Sequence, residues 1–160
     1  MRQTINPQMQ LGEVDISAIT FNPKSRDDIP RLLRALQHIY TDLGLRNQVF
    51  QALESMISVD RRNGRPGMVL WRILVFGTLR LVTNCDYDRL QELANEHGSL
   101  RNMLGHGPYC THSYHIQTLQ DNISLFTPET LDQVNQIVVA AGHQLVKKKM
   151  SRYVAVPIRS

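Results

Sequence analysis

The sequence predicts an all-α protein: a bundle of about six or seven helices with a helix-turn-helix-like unit and an extended N-terminal arm. Three observations carry this. From Met68 to Val82 only Arg72, Gly77, Thr78 and Arg80 interrupt an apolar run. A helix apolar on nearly all sides belongs inside a bundle. Stretches on either side of it repeat apolar residues at helical spacing. Between them lie capping residues and glycine stops rather than the alternating patterns of strands.

Residues 1–24 lack helical periodicity. Met9, Leu11, Val14, Ile16, Ile19 and Phe21 fall in partial alternation, which suits an arm laid on the bundle or a short strand. Ser25, Asp27 and Asp28 then offer caps, and Pro30 fits a first helical turn. Leu32, Leu33, Leu36, Ile39 and Tyr40 form the stripe of a first helix, and residues Thr41 to Gly44 break it. Leu45, Val49, Phe50, Leu53, Met56 and Ile57 mark a second. Pro66 is expected in the first turn of the apolar helix, where its missing N–H is of no consequence. Asn84 and Asp86 offer caps to a helix with Tyr87, Leu90, Leu93 and Ala94 on its stripe. Gly98 is expected to end it, Ser99 to cap a short helix Leu100 to Leu104, and Gly105 to close that one. A turn-rich loop precedes a helix from His115 to Phe126, with Ile116, Leu119, Ile123 and Phe126 inward. Thr127 and Pro128 open the last helix, to about Lys148, with Leu131, Val134, Val138, Ala141 and Leu145 on one side. That stripe would pack on the bundle or pair with a second copy.

A chain of 160 residues with 42% apolar and 20% charged residues is long enough to bury one core. The net charge of +4 is unevenly placed. Residues 1–60 carry a net −1, residues 61–146 a net 0, and residues 147–160 a net +5, from Lys147, Lys148, Lys149, Arg152 and Arg159. A near-neutral body grips phosphate only through local patches, so overall charge does not establish nucleic-acid binding. The apolar run is shorter than the ~20 residues of a membrane span and holds two arginines. Cys85 and Cys110 make no disulfide framework and fit a reducing, cytoplasmic setting. The start MRQTINPQMQLGEV lacks the apolar middle of a secretory leader.

Two groups of residues invite a functional reading. Arg61, Arg62 and Arg65 stand beside Asn63 and Gly64, where guanidinium forks can take phosphates. A solvated basic loop is the competing reading. His106, Cys110, His112 and His115 lie in HGPYCTHSYH, but their spacing repeats no paired C-x2-C or H-x3–5-H element, so no metal is expected. No Gly-rich phosphate loop or nucleophile elbow occurs. Asp27, Asp28, Asp86 and Asp88 sit at helix starts, where the dipole favours acids, and are poor candidates for a metal pair.

The series GRPGMVLWRILVFGTLRL, then DYDRLQELANEH, then RNMLG resembles the N-terminal, InsH-type domain of bacterial insertion-sequence transposases. The segments SRDDIPRLLRALQHIY, HIQTLQDNISL and LVKKK resemble most the ISNCY group of those enzymes. The resemblance covers about residues 1–149 and rests on the order of the motifs. Beside the arm over 1–24 it implies a helical DNA-binding domain over 25–149, and the basic tail over 150–160 diverges from the family pattern. It also implies binding of double-stranded DNA at transposon ends, in the cytoplasm on the nucleoid, without cofactor. Relatives continue into a ribonuclease-H-like domain whose three acidic residues hold two divalent metals; none of those acids can be placed here. The expectation is therefore a transposase DNA-binding domain truncated before its catalytic part, and not an enzyme. An interaction or dimerisation module that regulates full-length transposase through mixed oligomers is the alternative, as is a non-functional truncated product.

Within that reading, Arg61, Arg62, Arg65 and Lys147, Lys148, Lys149 are expected on phosphate. The helix from His115 follows two short helices and a turn, as a reading helix does. Its outward residues are Gln117, Thr118 and Asp121, with Gln120 and Asn122 on the flanks. Gln and Asn can pair with adenine, Thr can meet a thymine methyl, and Asp can accept from cytosine. A plain solvent face on a bundle helix would look the same.

Overall fold

A computed structural model describes residues 15–22, 24–57 and 67–152, with side chains to residue 142. Seven α-helices follow a short 3-10 turn, Ile16–Ala18, and no strand occurs among the described residues. They are α1 (Asp28–Thr41), α2 (Leu43–Ile57), α3 (Leu70–Thr83), α4 (Tyr87–Glu96), α5 (Gly98–Met103), α6 (Ile116–Ile123) and α7 (Pro128–Arg152). The predicted all-α bundle is what forms.

The helix starts are set by short polar side chains. Asp27 accepts the Ile29 N–H at 3.1 Å and opens α1, with Pro30 in its first turn. The break after α1 is narrower than Thr41 to Gly44. Asp42 alone separates the helices, and its Oδ1 accepts the Leu45 N–H at 3.1 Å, so α2 restarts at once. Thr127 Oγ1 accepts the Thr130 N–H at 3.3 Å and opens α7. That helix runs on to Arg152, past the expected end near Lys148.

Four local expectations are corrected. The apolar helix begins at Leu70, so Met68 lies before it; Pro66 falls outside the described residues. Asn84 does not cap α4. It ends α3 in the left-handed conformation, φ 53°, which asparagine tolerates, and Asp86 caps α4 by accepting the Arg89 N–H at 2.8 Å. Gly98 does not stop α4. His97 ends it and opens α5, its Nδ1 accepting the Leu100 N–H at 3.2 Å, so Ser99 has no capping duty. Only Gly105, φ 93°, takes the stop conformation expected of a glycine. The last correction is to α6, which is regular only from Ile116 to Ile123, then closes through tighter turns to Phe126.

α3 is the axis of the bundle and packs against α1, α2, α4, α6 and α7. Leu70, Trp71 and every residue from Ile73 to Leu79 are buried, which is why the segment tolerates apolar residues all round. Each fully buried large side chain stabilises by roughly 1.5–3 kcal/mol relative to exposure. Trp71 sits edge-on between Tyr40, 5.0 Å away, and Phe50, 6.5 Å away, and its indole N–H donates to the Met103 carbonyl at 2.7 Å. The described part of the arm lies on α1: Ile16 is buried, and Gln37 Nε2 donates to the Ile16 and Ile19 carbonyls at 2.9 and 2.7 Å. No described helix is long and apolar enough to cross a membrane.

Candidate functional site

The candidate reading helix, α6, packs on α4 and α3. Leu119 and Ile123 are fully buried, and Phe126 just beyond is too. The three-to-four spacing of those residues turns Gln117, Thr118, Gln120 and Asp121 into solvent, and all four are exposed. Gln117 Nε2 donates to Asp121 Oδ1 at 2.8 Å, an i, i+4 pair that pre-orients both side chains. Asn122 stands apart from this face. It is half-buried; its Nδ2 donates to the Thr118 carbonyl at 2.8 Å, and its Oδ1 accepts the Met68 N–H at 3.1 Å. The Oδ1 end of the amide thus ties α6 to the chain leading into α3, while the Nδ2 end bonds within α6.

α6 is positioned by residues 104–115, a longer connection than a compact helix-turn-helix turn. α4 holds this loop from one side. Asn95 Oδ1 accepts the Tyr114 N–H at 2.7 Å, while Asn95 Nδ2 and Gln91 Nε2 both donate to the Tyr114 carbonyl at 3.1 Å. α5 holds it from the other. The Arg101 guanidinium donates to the carbonyls of Ala94, Cys110 and His112 at 2.9, 3.1 and 2.9 Å. Arg72 Nε donates to the Leu104 carbonyl at 3.2 Å. These two arginines are braces of the loop.

Inside the loop, His106 and Tyr114 are both buried, and the His106 Nε2 and Tyr114 hydroxyl oxygen lie 2.6 Å apart. The Cys110 sulfur is 3.4 Å from His106 Nδ1, and the His112 ring stacks on that of His106 at 5.0 Å. Burial pushes the His106 pKa down to about 4, with Arg72, His112 and Arg101 adding positive charge nearby. Burial also lowers His112, and it raises Tyr114 to about 12 against the pull of the two arginines. Both rings are therefore neutral near neutral pH. Among the described residues no group of three His, Cys, Asp or Glu could hold a metal ion. His115 is exposed and precedes α6 without a side-chain cap.

No family model, curated protein or solved structure matches the chain.

The other predicted contacts are placed only in part. Arg61, Arg62 and Arg65 lie outside the described residues. Lys147, Lys148 and Lys149 are on α7, and their side chains lie outside them as well. A basic feature not singled out from the sequence is the outer line of α1. Arg31, Arg34 and His38 are exposed at positions i, i+3 and i+7, with Lys24 and Arg26 exposed just before the helix. The signal was legible, because Leu33, Leu36 and Ile39 fix the inner face and so the outer one.

Proposed function

We propose that the chain is a DNA-binding module that reads a transposon-end sequence with the outer face of α6. The observation that carries this reading is the joint exposure of Gln117, Thr118, Gln120 and Asp121 on a short helix that Asn122 and the braced loop hold fixed. A preset polar face of amide, hydroxyl and carboxylate groups suits base edges in a major groove. That face has no cation, so phosphate contacts fall to other segments: Arg61, Arg62 and Arg65, the Lys147–Lys149 run, and Arg31 and Arg34 on α1. Its place is the cytoplasm, on the nucleoid.

The module neither cuts nor joins DNA. Asp27, Asp42 and Asp86 serve as helix caps, which leaves them poor partners for a metal pair. Mg²⁺- or Mn²⁺-dependent nicking that follows the protein through purification would overturn this.

Binding is tested by fluorescence anisotropy on the ends of the element that carries the gene and on scrambled duplex. Gln117→Ala and Thr118→Ala should each lose roughly 1–3 kcal/mol on the specific site alone. Equal losses on both DNAs, or none, would remove α6 as the reading helix.

A second reading, a dimerisation module acting on full-length transposase, is favoured by one feature of α7. Val139 is 54% exposed, on a helix whose opposite side carries the buried Val134. Sedimentation equilibrium distinguishes them: a dimer that Val139→Asp dissociates supports this reading, and a monomer at high concentration removes it.

A further inference from the structure

Two polar surfaces of this chain face away from each other. Trp71 of α3 packs edge-on to Tyr40 of α1 and Phe50 of α2. Further along the same helix, Phe76 packs on Tyr114, just before α6, and Gly77 lies against Phe126, just after it. At about 100° per residue, Phe76 is turned roughly 140° from Trp71 in one direction and Gly77 roughly 120° in the other. α6 therefore sits across α3 from α1, and its exposed face points out on that side of the bundle.

α1 has a solvent face of its own. Leu33, Leu36 and Ile39 are buried against the bundle, so Arg31, Arg34 and His38 stand out on the far side. Lys24 and Arg26 are exposed just ahead of them. Among the described residues none of these Lys and Arg side chains pairs with a carboxylate. Two acids lie near. Asp27 accepts the Ile29 N–H and stands 3.9 Å from His97, and Asp28 is exposed in the first turn. Four cations against two acids leave the segment from Lys24 to His38 at a net +2, with His38 neutral.

We propose that the outer line of α1 grips the phosphate backbone of a second duplex, apart from the one α6 reads, so that one chain bridges two DNA segments. The first duplex rests on the reading of α6 given above, and the second on α1 alone. From Arg31 to His38 the line runs about 10 Å. That is the axial run of about three phosphates on one strand. Guanidinium forks take phosphate oxygens in pairs. The apolar side of α1 is taken up by the core, so nothing is left to enter a lipid surface.

The duplex on α1 must be a different one. Packed helix axes lie about 8–10 Å apart, which sets the α1 and α6 axes about 16–20 Å apart with both faces turned outward. DNA stays straight over about 150 base pairs, so one duplex does not reach both faces without folding back round the bundle. Phosphate contacts carry no sequence information, so this second grip is blind to sequence.

The test uses the full chain, a duplex from the end of the element fixed to beads, and a free fluorescent duplex of scrambled sequence, at about 0.1 M salt. Chain loaded on the beads should capture the free duplex. At that salt each phosphate contact is worth about eightfold in affinity relative to 1 M. Arg31→Glu with Arg34→Glu should therefore lower capture per loaded chain by at least about tenfold, while the variant still loads at saturating protein. Arg31→Ala with Arg34→Ala should act in the same direction, and both side chains are exposed, so the fold is kept. Capture unchanged in both variants would assign the free duplex to a second copy or another face and overturn the proposal. So would its absence with the unaltered chain. Binding to phosphatidylserine vesicles that the variants lose, without duplex capture, would assign α1 to a membrane surface and also overturn it. The reading of α6 fails separately: a Gln117→Ala chain that binds the end duplex as before removes α6, and capture lost only in the α1 variants still leaves α1 as the second grip.

Discussion

The α-carbon of Gly77 lies against the Phe126 ring so closely that a methyl group there would overlap Phe126 Cβ, Cγ and Cδ1. This contact brings the end of α6 onto the axis helix. It accounts for a glycine in the middle of a buried helix, where it otherwise costs about 1 kcal/mol relative to alanine.

Gly77→Ala should therefore destabilise despite its better helix propensity. Phe126 is fully buried, and the clash includes its Cβ, so the ring cannot swing clear by itself. Overpacking of this kind costs about 1–3 kcal/mol. Urea unfolding should show the loss, and Gly77→Ala with Phe126→Leu should recover part of it. An increase in stability in the single variant would show that the helices separate freely.

Asn95 should carry much of the loop's order. Its side chain pairs with both backbone groups of Tyr114, as a neighbouring strand would. Asn95→Ala leaves a buried N–H without its partner, at a cost of about 1–3 kcal/mol. Asn95→Asp keeps the acceptor for the Tyr114 N–H but sets a carboxylate oxygen against the Tyr114 carbonyl, so it should retain more protection at that amide than Asn95→Ala while still lowering stability. Hydrogen exchange at the Tyr114 amide measures this directly; equal protection in all three proteins would remove Asn95 from the role.

Much of the bundle was legible because its signals are local. Apolar spacing placed α1, α2 and α7, and Asp27, Asp86 and Thr127 marked three helix starts. His97 was missed because an imidazole is not among the usual capping side chains. Asn122 resembled an outward polar residue because its partner, the Met68 N–H, is 54 residues away. The linkage of Cys110, His106 and Tyr114 was hidden for a related reason. Only the folding back of the loop onto Gln91 and Asn95 brings the three together. Spacing alone gave four loop residues with no metal pattern. Periodicity did reveal which α6 residues face out, and α1's outer cations were legible in the same way.

Acid should loosen the same loop. The unfolded chain takes up a proton on His106 near pH 6.5, whereas the folded chain resists it until about 4. The unfolded state thus binds more protons between those values, and stability falls as pH drops through them. Above pH 6.5 nothing is lost; near pH 4 the loss approaches about 3 kcal/mol from this residue. His112, also lowered, adds in the same direction. Thermal unfolding at pH 7 and pH 4.5 checks the sign. His106→Gln should show a shallower decline, and parallel curves for the two proteins would assign the acid sensitivity elsewhere.

The basic residues should divide into those that hold phosphate and those that hold the fold. Arg72 and Arg101 donate to carbonyls, so their replacement should lower stability first. Arg31 and Arg34 are exposed on the outer line of α1, and their replacement by alanine should leave stability within about 0.5 kcal/mol. If the module binds DNA as proposed, each phosphate contact removed lowers the slope of log K against log salt by about 0.9. Arg31→Ala with Arg34→Ala then tests α1, and alanine at Arg61, Arg62 and Arg65 together tests the loop before α3. A loss of affinity shared by specific and scrambled duplex, with a shallower salt slope, identifies a phosphate-binding segment. Unchanged affinity and slope in either variant would leave that segment as solvated surface and assign the grip to the remaining one or to the Lys147–Lys149 run.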